Sequence, residues 1–226
     1  MDYVSTRYDE KHVPKTSYPG QLIAYLFNRF ELKRGQKVLE LGCGRCEFLH
    51  ELKENGLEPY GLDREKSSIE NEHKLNVKDC DLSTEVFPYD DEMFDIVYHK
   101  SLIEHIYDPS NLMKETMRVL KPGGKLIILT PNWNTQWKIF YEDYTHSRPY
   151  ATKALRDLLK VHGMKNVFCD EFLQLPVVWK YPILTYGTKL LKCFINVHSG
   201  RWLAKATGLK FFRWSVETMI LGYGVK

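Results

Sequence analysis

The chain has 226 residues, 43% hydrophobic and 27% charged, with a net charge of +3, which suits one globular domain with a substantial core. So small a net charge gives no argument for nucleic acid by itself, and no run approaches the length of a membrane-spanning helix. Met1-Asp2-Tyr3 opens a polar segment rather than a secretory signal, and the five cysteines lack a framework spacing, so reduced thiols in a cytoplasm are expected.

Residues 1–36 are expected to form one or two helices with Leu22, Ile23, Leu26 and Phe27 as the buried face. From residue 37 strands and helices alternate, the pattern of a parallel sheet covered on both faces. Lys37–Leu41 reads as the first strand and Cys46–Asn55 as a helix stopped by Gly56. Pro59–Asp63 is a second strand ending in an acid, Glu65–Leu75 a helix and Val77–Cys80 a short third strand. Phe94–His99 is a fourth strand, and Pro109 opens a helix to Leu120, proline being favourable at a first helical position. Lys121-Pro122-Gly123-Gly124 is a turn into a fifth strand, Lys125–Thr130, whose continuous apolar run implies burial on both faces. Thr152–His162 is a helix, Val167–Phe172 a sixth strand and Glu217–Tyr223 the last.

The most informative stretch is Val38-Leu39-Glu40-Leu41-Gly42-Cys43-Gly44-Arg45-Cys46-Glu47-Phe48: a buried strand, a glycine turn and a helix start. Glycines there let the backbone turn tightly and approach a ligand with no Cβ in the way. Glu40 puts a carboxylate where an ammonium group can be held. A dinucleotide site would instead want G-x-G-x-x-G, and here the third glycine position is Glu47, which repels phosphate. Cys43 and Cys46 form a C-x-x-C with no further Cys/His pair nearby, so two small residues filling the turn is the expected role rather than a zinc or redox site.

With these residues placed, the chain resembles the class I S-adenosylmethionine-dependent methyltransferases over about residues 36–173 and the last ten. Glu40-x-Gly42-x-Gly44 is similar to the first family motif. Asp63 ends the second strand, Asp81-Leu82 follows the third, and Phe94-Asp95-Ile96-Val97 then Glu104-His105-Ile106 follow in register. Arg118-Val119-Leu120-Lys121-Pro122-Gly123-Gly124 resembles the family's turn into the fifth strand. The resemblance implies a doubly wound, seven-stranded, mostly parallel Rossmann-like sheet whose last strand runs antiparallel. It divides the single domain 1–226 into an N-terminal helical segment (1–36), a cofactor-binding core (37–173), an insertion (174–214) and the last strand (215–226). Position 46, most often glycine in the family, is Cys46 here, and a shifted contact with the methionine end of the cofactor would follow from that departure.

The resemblance also implies roles. The cofactor is S-adenosylmethionine. Glu40, Gly42 and Gly44 would hold its amino-acid tail, Asp63 both ribose hydroxyls, and Asp81 with Leu82 the adenine, with Asp79 competing for that place. His99, just past the fourth strand, would line the same end of the pocket or serve as a structural histidine. A hydroxyl acceptor needs a base. His146, in the long aromatic loop Asn132–Tyr150, is the first candidate and His105 the second. Ubiquinone-pathway O-methyltransferases are similar around Glu104-His105 but carry a further acid where this chain has Ser101, so no metal is expected. His99-Lys100-Ser101-Leu102 replaces the Asn-Pro-Pro-Tyr of amide and adenine N-methyltransferases. No cysteine lies between Cys80 and Cys169 to serve cytosine chemistry.

The insertion carries seven Lys/Arg and no Asp or Glu from Pro176 to Ser215, interleaved with aromatics from Trp179 to Trp214. Ile183–Val197 reads as one amphipathic helix with Leu184, Leu191 and Ile195 on its apolar side and Lys189 and Lys192 flanking it. A lid over the pocket, a membrane-surface element through 176–214, and a contact for RNA or another polyanion are all compatible with this composition. The chain thus reads as a cytoplasmic O-methyltransferase, peripheral at a membrane if the insertion docks there, with a small-molecule, glycan or lipid-linked acceptor rather than nucleic acid. N-methylation of a small amine and a non-catalytic cofactor-binding protein are the alternatives.

Overall fold

The computed structural model describes residues 16–64 and 75–226. Seven strands form one sheet: β1 (Lys37–Leu41), β2 (Glu58–Asp63), β3 (Asn76–Asp79), β4 (Phe94–Lys100), β5 (Leu120–Pro131), β6 (Lys165–Phe172) and β7 (Met219–Val225). Their order is β3-β2-β1-β4-β5-β7-β6. β1 pairs in parallel with β2 and β4, and β7 runs antiparallel to β5 and β6. This is the doubly wound arrangement expected from the alternating pattern. The expected helix at 65–75 falls almost wholly on residues outside the described ones.

Side chains of a strand alternate between faces, and two cores result. Val38, Ile96, Tyr98, Ile127 and Leu129 point to the face covered by α1 (Tyr18–Arg29) and α2 (Glu47–Glu54). Leu39, Leu41, Val97, Leu126 and Ile128 point to the face covered by α3 (Ser110–Val119) and by α5 (Thr152–Val161), which follows the short α4 (Trp133–Gln136). α2 inserts Leu49 and Leu52, both buried, each contributing roughly 1.5–3 kcal/mol by removal of apolar surface from water. On α1 Leu22, Ile23 and Leu26 are buried as expected, but Phe27 is only half-buried. Phe30, just past the helix, takes its place and stacks on Tyr223 with centroids 4.7 Å apart.

Three boundaries differ from expectation for identifiable reasons. The Lys121–Gly124 turn is an excursion inside a longer β5: Leu120 already pairs with Phe94, and pairing resumes at Ile96 with Lys125. Lys226 closes it, its amide donating to Gly124 and its carbonyl accepting from Gly123. His99 lies inside β4, which runs on to Lys100. The expected single helix 183–197 is broken. After α6 (Pro176–Lys180), α7 spans Leu184–Lys192 and α8 begins at Val197. Asn196 restarts the chain: its side chain accepts from the amides of His198 and Ser199 while Ser199 Oγ accepts from the Asn196 amide, a reciprocal capping box. Of the expected apolar side, Leu191 and Ile195 are half-buried and Leu184 is 38% exposed. Thr188 is the buried residue of α7, whereas Leu184 and Leu190 are exposed. α9 (Lys210–Val216) then leads into β7. Among the described residues no helix is long and apolar enough to cross a membrane.

Because β1, β2, β4 and β5 are parallel, their carboxyl ends share one edge of the sheet. The glycine turn, Asp63, residues 101–106 and residues 132–150 all issue there.

Candidate active site

The turn after β1 uses left-handed backbone three times in five residues, at Gly42 (φ 68°), Gly44 (φ 51°) and Cys46 (φ 58°). L side chains rarely adopt this region, which gives a physical reason for glycine to be favoured at position 46. A Cβ on Gly42 would meet Leu102 Cδ1 at 2.8 Å, whereas one on Gly44 would face open space. The Gly44 amide donates to Asp63 Oδ2 at 2.8 Å and the Gly42 amide to the Leu62 carbonyl at 2.8 Å, so the turn is laced to the end of β2. Cys43 and Cys46 are both buried within it. Contact with the Cys46 thiol and burial push the Cys43 thiol up, so a nucleophilic or metal-binding thiolate is disfavoured.

Glu40 and Tyr98 are direct register partners on β1 and β4. Their exposures are 2% and 1%, and neither Glu40 Oε2 nor the Tyr98 hydroxyl has a hydrogen-bond partner among the described residues. Burial, then the Cys46 thiol and the Asp63 carboxylate, push the Glu40 carboxyl above the usual range. Burial and the neighbouring Glu40 push the Tyr98 hydroxyl up as well. An unpartnered buried carboxylate costs several kcal/mol, and a cationic ligand group relieves that cost. The pair therefore fits an ammonium-bearing ligand seated against the turn. Tyr98 was not anticipated from the sequence, where it is one apolar-looking letter of a buried strand.

His99 points to the other face, beside Val97. It is 1% exposed with Nδ1 unpartnered among the described residues, and burial pushes it down to about 3. It is neutral and does not join Glu40 and Tyr98. Alternation along β4 sets its side chain on the face opposite Glu40 and Tyr98. Asp63 is 7% exposed at the end of β2, and its carbonyl accepts from Cys80 at 3.2 Å. This contact brings residues 80–85 alongside. Asp81 is half-buried there and accepts from the Ser83 amide, while Leu82 packs into the core. Asp79 is exposed on β3, in register with Asp63.

The second cluster comes from the segments after β4 and β5. The amides of Ser147 and Arg148 both donate to the Glu104 carbonyl, at 2.8 and 3.0 Å. This clamp brings His146 to His105, with ring centroids 4.8 Å apart. Hydrogen-bond logic sets both rings. Phe140's carbonyl can only accept, so His146 Nδ1, 2.6 Å away, is the donor. The Thr145 hydroxyl donates to Asp143 Oδ1 at 2.7 Å, so it accepts from His105 Nδ1 at 2.8 Å. In the neutral rings both lone pairs then sit on Nε2. Burial and the His146 ring push His105 down to about 4, which keeps it neutral. Glu104 is fully buried. Burial pushes it up to about 7 against a stabilising bond from Thr130 Oγ1 at 2.9 Å. One donor atom each of Glu104, His105 and His146 lie within 4.8 Å of one another, so these three could close on a cation. No metal was expected from the sequence.

His105 and His146 line a cavity of about 710 Å³ together with Glu104, Gln136, Phe140, Arg201, Lys205, Lys210 and Arg213. That volume is in the range of small-molecule sites.

Comparison with known proteins gives the family and the fold. A family of methyltransferase domains matches residues 11–168. The chain is 31% identical over 118 residues to a ubiquinone biosynthesis O-methyltransferase of Coxiella burnetii, covering 50% of each chain. It is 34% identical over 160 residues to phosphoethanolamine N-methyltransferase 1 of Zea mays, covering 63% of this chain and 31% of that protein. The chain thus spans half or less of these curated relatives. Among solved structures, a SAM-dependent methyltransferase from Archaeoglobus fulgidus superposes with a TM-score of 0.68 at 23% identity over the whole of both chains. Phosphoethanolamine N-methyltransferase 2 of Haemonchus contortus does so with 0.69 at 17% identity, over all of this chain and 59% of that one. At these identities the structures share the fold.

Gly42→Ala is expected to destabilise the protein by roughly 1–3 kcal/mol, from left-handed strain and the collision with Leu102. Chemical denaturation measures this. Wild-type stability in the variant would show that the turn tolerates a side chain.

Proposed function

Because the chain belongs to the methyltransferase-domain family, we propose that it transfers a methyl group from S-adenosylmethionine to a hydroxyl of a small molecule, glycan or lipid-linked metabolite. When bound, the cofactor supplies an electrophilic methyl on a positively charged sulfur with a neutral thioether as leaving group. Glu40, Tyr98 and the backbone of Gly42 and Gly44 receive the amino-acid tail. Asp63 accepts from the ribose hydroxyls, one carboxylate serving two adjacent donors, and Asp81 beside Leu82 meets the adenine. The single observation that carries the cofactor reading is the unpartnered buried Glu40–Tyr98 pair beside the glycine turn.

His146 removes the acceptor's proton through Nε2. Its Nδ1–H, held by the Phe140 carbonyl, fixes the ring. His105, oriented by Thr145 and Asp143, lies edge-on to it. The protein otherwise contributes position: much of the barrier reduction in such a displacement comes from holding nucleophile and methyl in line. A protonated amine would find Glu104 and Asp143 at the same end of the cavity, and this supports N-methylation as the second reading.

The exposed apolar face of the insertion supports a peripheral membrane contact. Ile183, Tyr186, Leu190, Phe194 and Trp202 are 63–79% exposed, and Lys180 and Lys189 lie over the Tyr181 and Tyr186 rings. Apolar side chains flanked by lysines suit the interface of an anionic bilayer.

A labelled-methyl screen over cell-extract fractions identifies the acceptor, and the carbon-13 shift of the transferred methyl separates ether from amine. With that acceptor His146→Ala is expected to lower kcat about 10²–10⁴-fold while leaving cofactor affinity nearly unchanged. A loss below about threefold would remove His146 as the base. Vesicles containing phosphatidylglycerol are expected to sediment the protein and Ile183→Ser/Phe194→Ser to release it. Equal recovery in the supernatant with and without vesicles would remove the membrane contact.

A further inference from the structure

The cavity has two chemically different walls. Glu104, His105, Asp143 and His146, from the segments after β4 and β5, form one, and Arg201, Lys205, Lys210 and Arg213, from the insertion, form the other. The fold makes the second wall deliberately close-set. α8 (Val197–Thr207) turns through Gly208 in the left-handed region into α9. At the crossing Gly200 lies against α9, where a Cβ would stand 2.6 Å from Val216 Cγ2 and 3.0 Å from the Phe212 carbonyl oxygen. Any larger residue at 200 would push the helices, and their cations, apart.

Buried Glu217 then pins both arginines. Arg201 Nε donates to its Oε1 at 2.5 Å and Arg213 Nε to its Oε2 at 3.0 Å. Arg201 also pairs with Glu142 at 2.5 Å, and both line the cavity. These two carboxylates offset two of the four cations. Lys205 and Lys210 remain, exposed, with no carboxylate paired to either among the described residues. An ordered arginine frame carrying two uncompensated ammonium groups is built to receive negative charge.

Resting on the methyl-transfer reading above, we propose that this wall binds an anionic group, phosphate or carboxylate, of the methyl acceptor. Lys205 and Lys210 make the direct contacts. Arg201 is a positioning residue that holds the wall to Glu217 and Glu142. The acceptor is thereby oriented with its anion toward α8 and α9 and its nucleophile toward His146. The basic insertion is on this view a specificity element for the acceptor, and its exposed apolar side on α7 is a separate surface.

The test uses the full chain and inorganic phosphate, with acetate in a parallel arm, titrated by calorimetry into wild type and Lys205→Ala/Lys210→Ala. S-adenosylhomocysteine is titrated into the same preparations. Phosphate or acetate binding that weakens roughly tenfold or more in the variant, the weak end for one charge-assisted hydrogen bond, is the expected result, and the stronger of the two arms names the anion. Equal affinity in both proteins, or no binding of either anion to wild type, would overturn the proposal. So would unchanged anion binding together with lost sedimentation on phosphatidylglycerol vesicles, which would assign the lysines to lipid. Failure of S-adenosylhomocysteine to bind wild type would instead count against the methyl-transfer reading, whatever the anions do.

Discussion

The hydrogen bond from the Gly44 amide to Asp63, 2.8 Å long, is the constraint on which the rest of the site depends. It closes a left-handed turn onto the neighbouring strand and so fixes where β1 ends relative to β2. Everything proposed for the cofactor is measured from that point: Glu40 two residues before Gly42 on one strand, Asp63 on the other, Asp81 just beyond. Cys46 shows how strongly the geometry is imposed. A fully buried cysteine is held at φ 58° there, a conformation costing of order 1–3 kcal/mol for a residue other than glycine. The departure at position 46 leaves the turn intact and makes the surrounding packing carry strain that a glycine would avoid.

The reacting end depends on a second, weaker constraint. Ser147 and Arg148 share the Glu104 carbonyl, and this backbone clamp sets two imidazoles face to edge. The loop between 132 and 150 is long, yet it is closed at its neck by Trp133 donating to the Tyr150 carbonyl at 2.9 Å. Trp133, Phe140 and His146 pack within it. Its histidine is thus held in an ordered frame, which the role proposed for it requires. Burial does the complementary work of keeping His105 neutral.

Much of this was legible in the sequence where the signal is local. Glu40, Gly42 and Gly44 lie within five residues, Asp63 ends a strand recognisable from its apolar run, and His146 stands in a polar loop too long to be a connector. Tyr98 was not legible because its role comes from pairing with Glu40 across strands 58 residues apart in sequence, and its own neighbourhood reads as core. His99 is the next residue on β4, so its side chain takes the opposite face from Tyr98. The insertion's composition was plain, but composition does not say which way cations face. The Asn196 cap and the Gly200 crossing divide it into α7, with exposed Leu184 and Leu190, and the α8–α9 pair that carries Arg201, Lys205, Lys210 and Arg213, and neither follows from counting lysines. The Ile183–Val197 periodicity is interrupted before the Asn196 cap, and of its apolar side Leu191 and Ile195 are half-buried while Leu184 is exposed.

The most direct measurement compares S-adenosylhomocysteine with 5′-methylthioadenosine, which lacks the amino-acid tail, by calorimetry on wild type and Glu40→Gln. If the unpartnered Glu40–Tyr98 pair receives the ammonium group, wild type binds the tailed nucleoside roughly tenfold or more tightly and Glu40→Gln loses most of that preference. Equal affinity of wild type for the two nucleosides, or a preference that survives in Glu40→Gln, would contradict it.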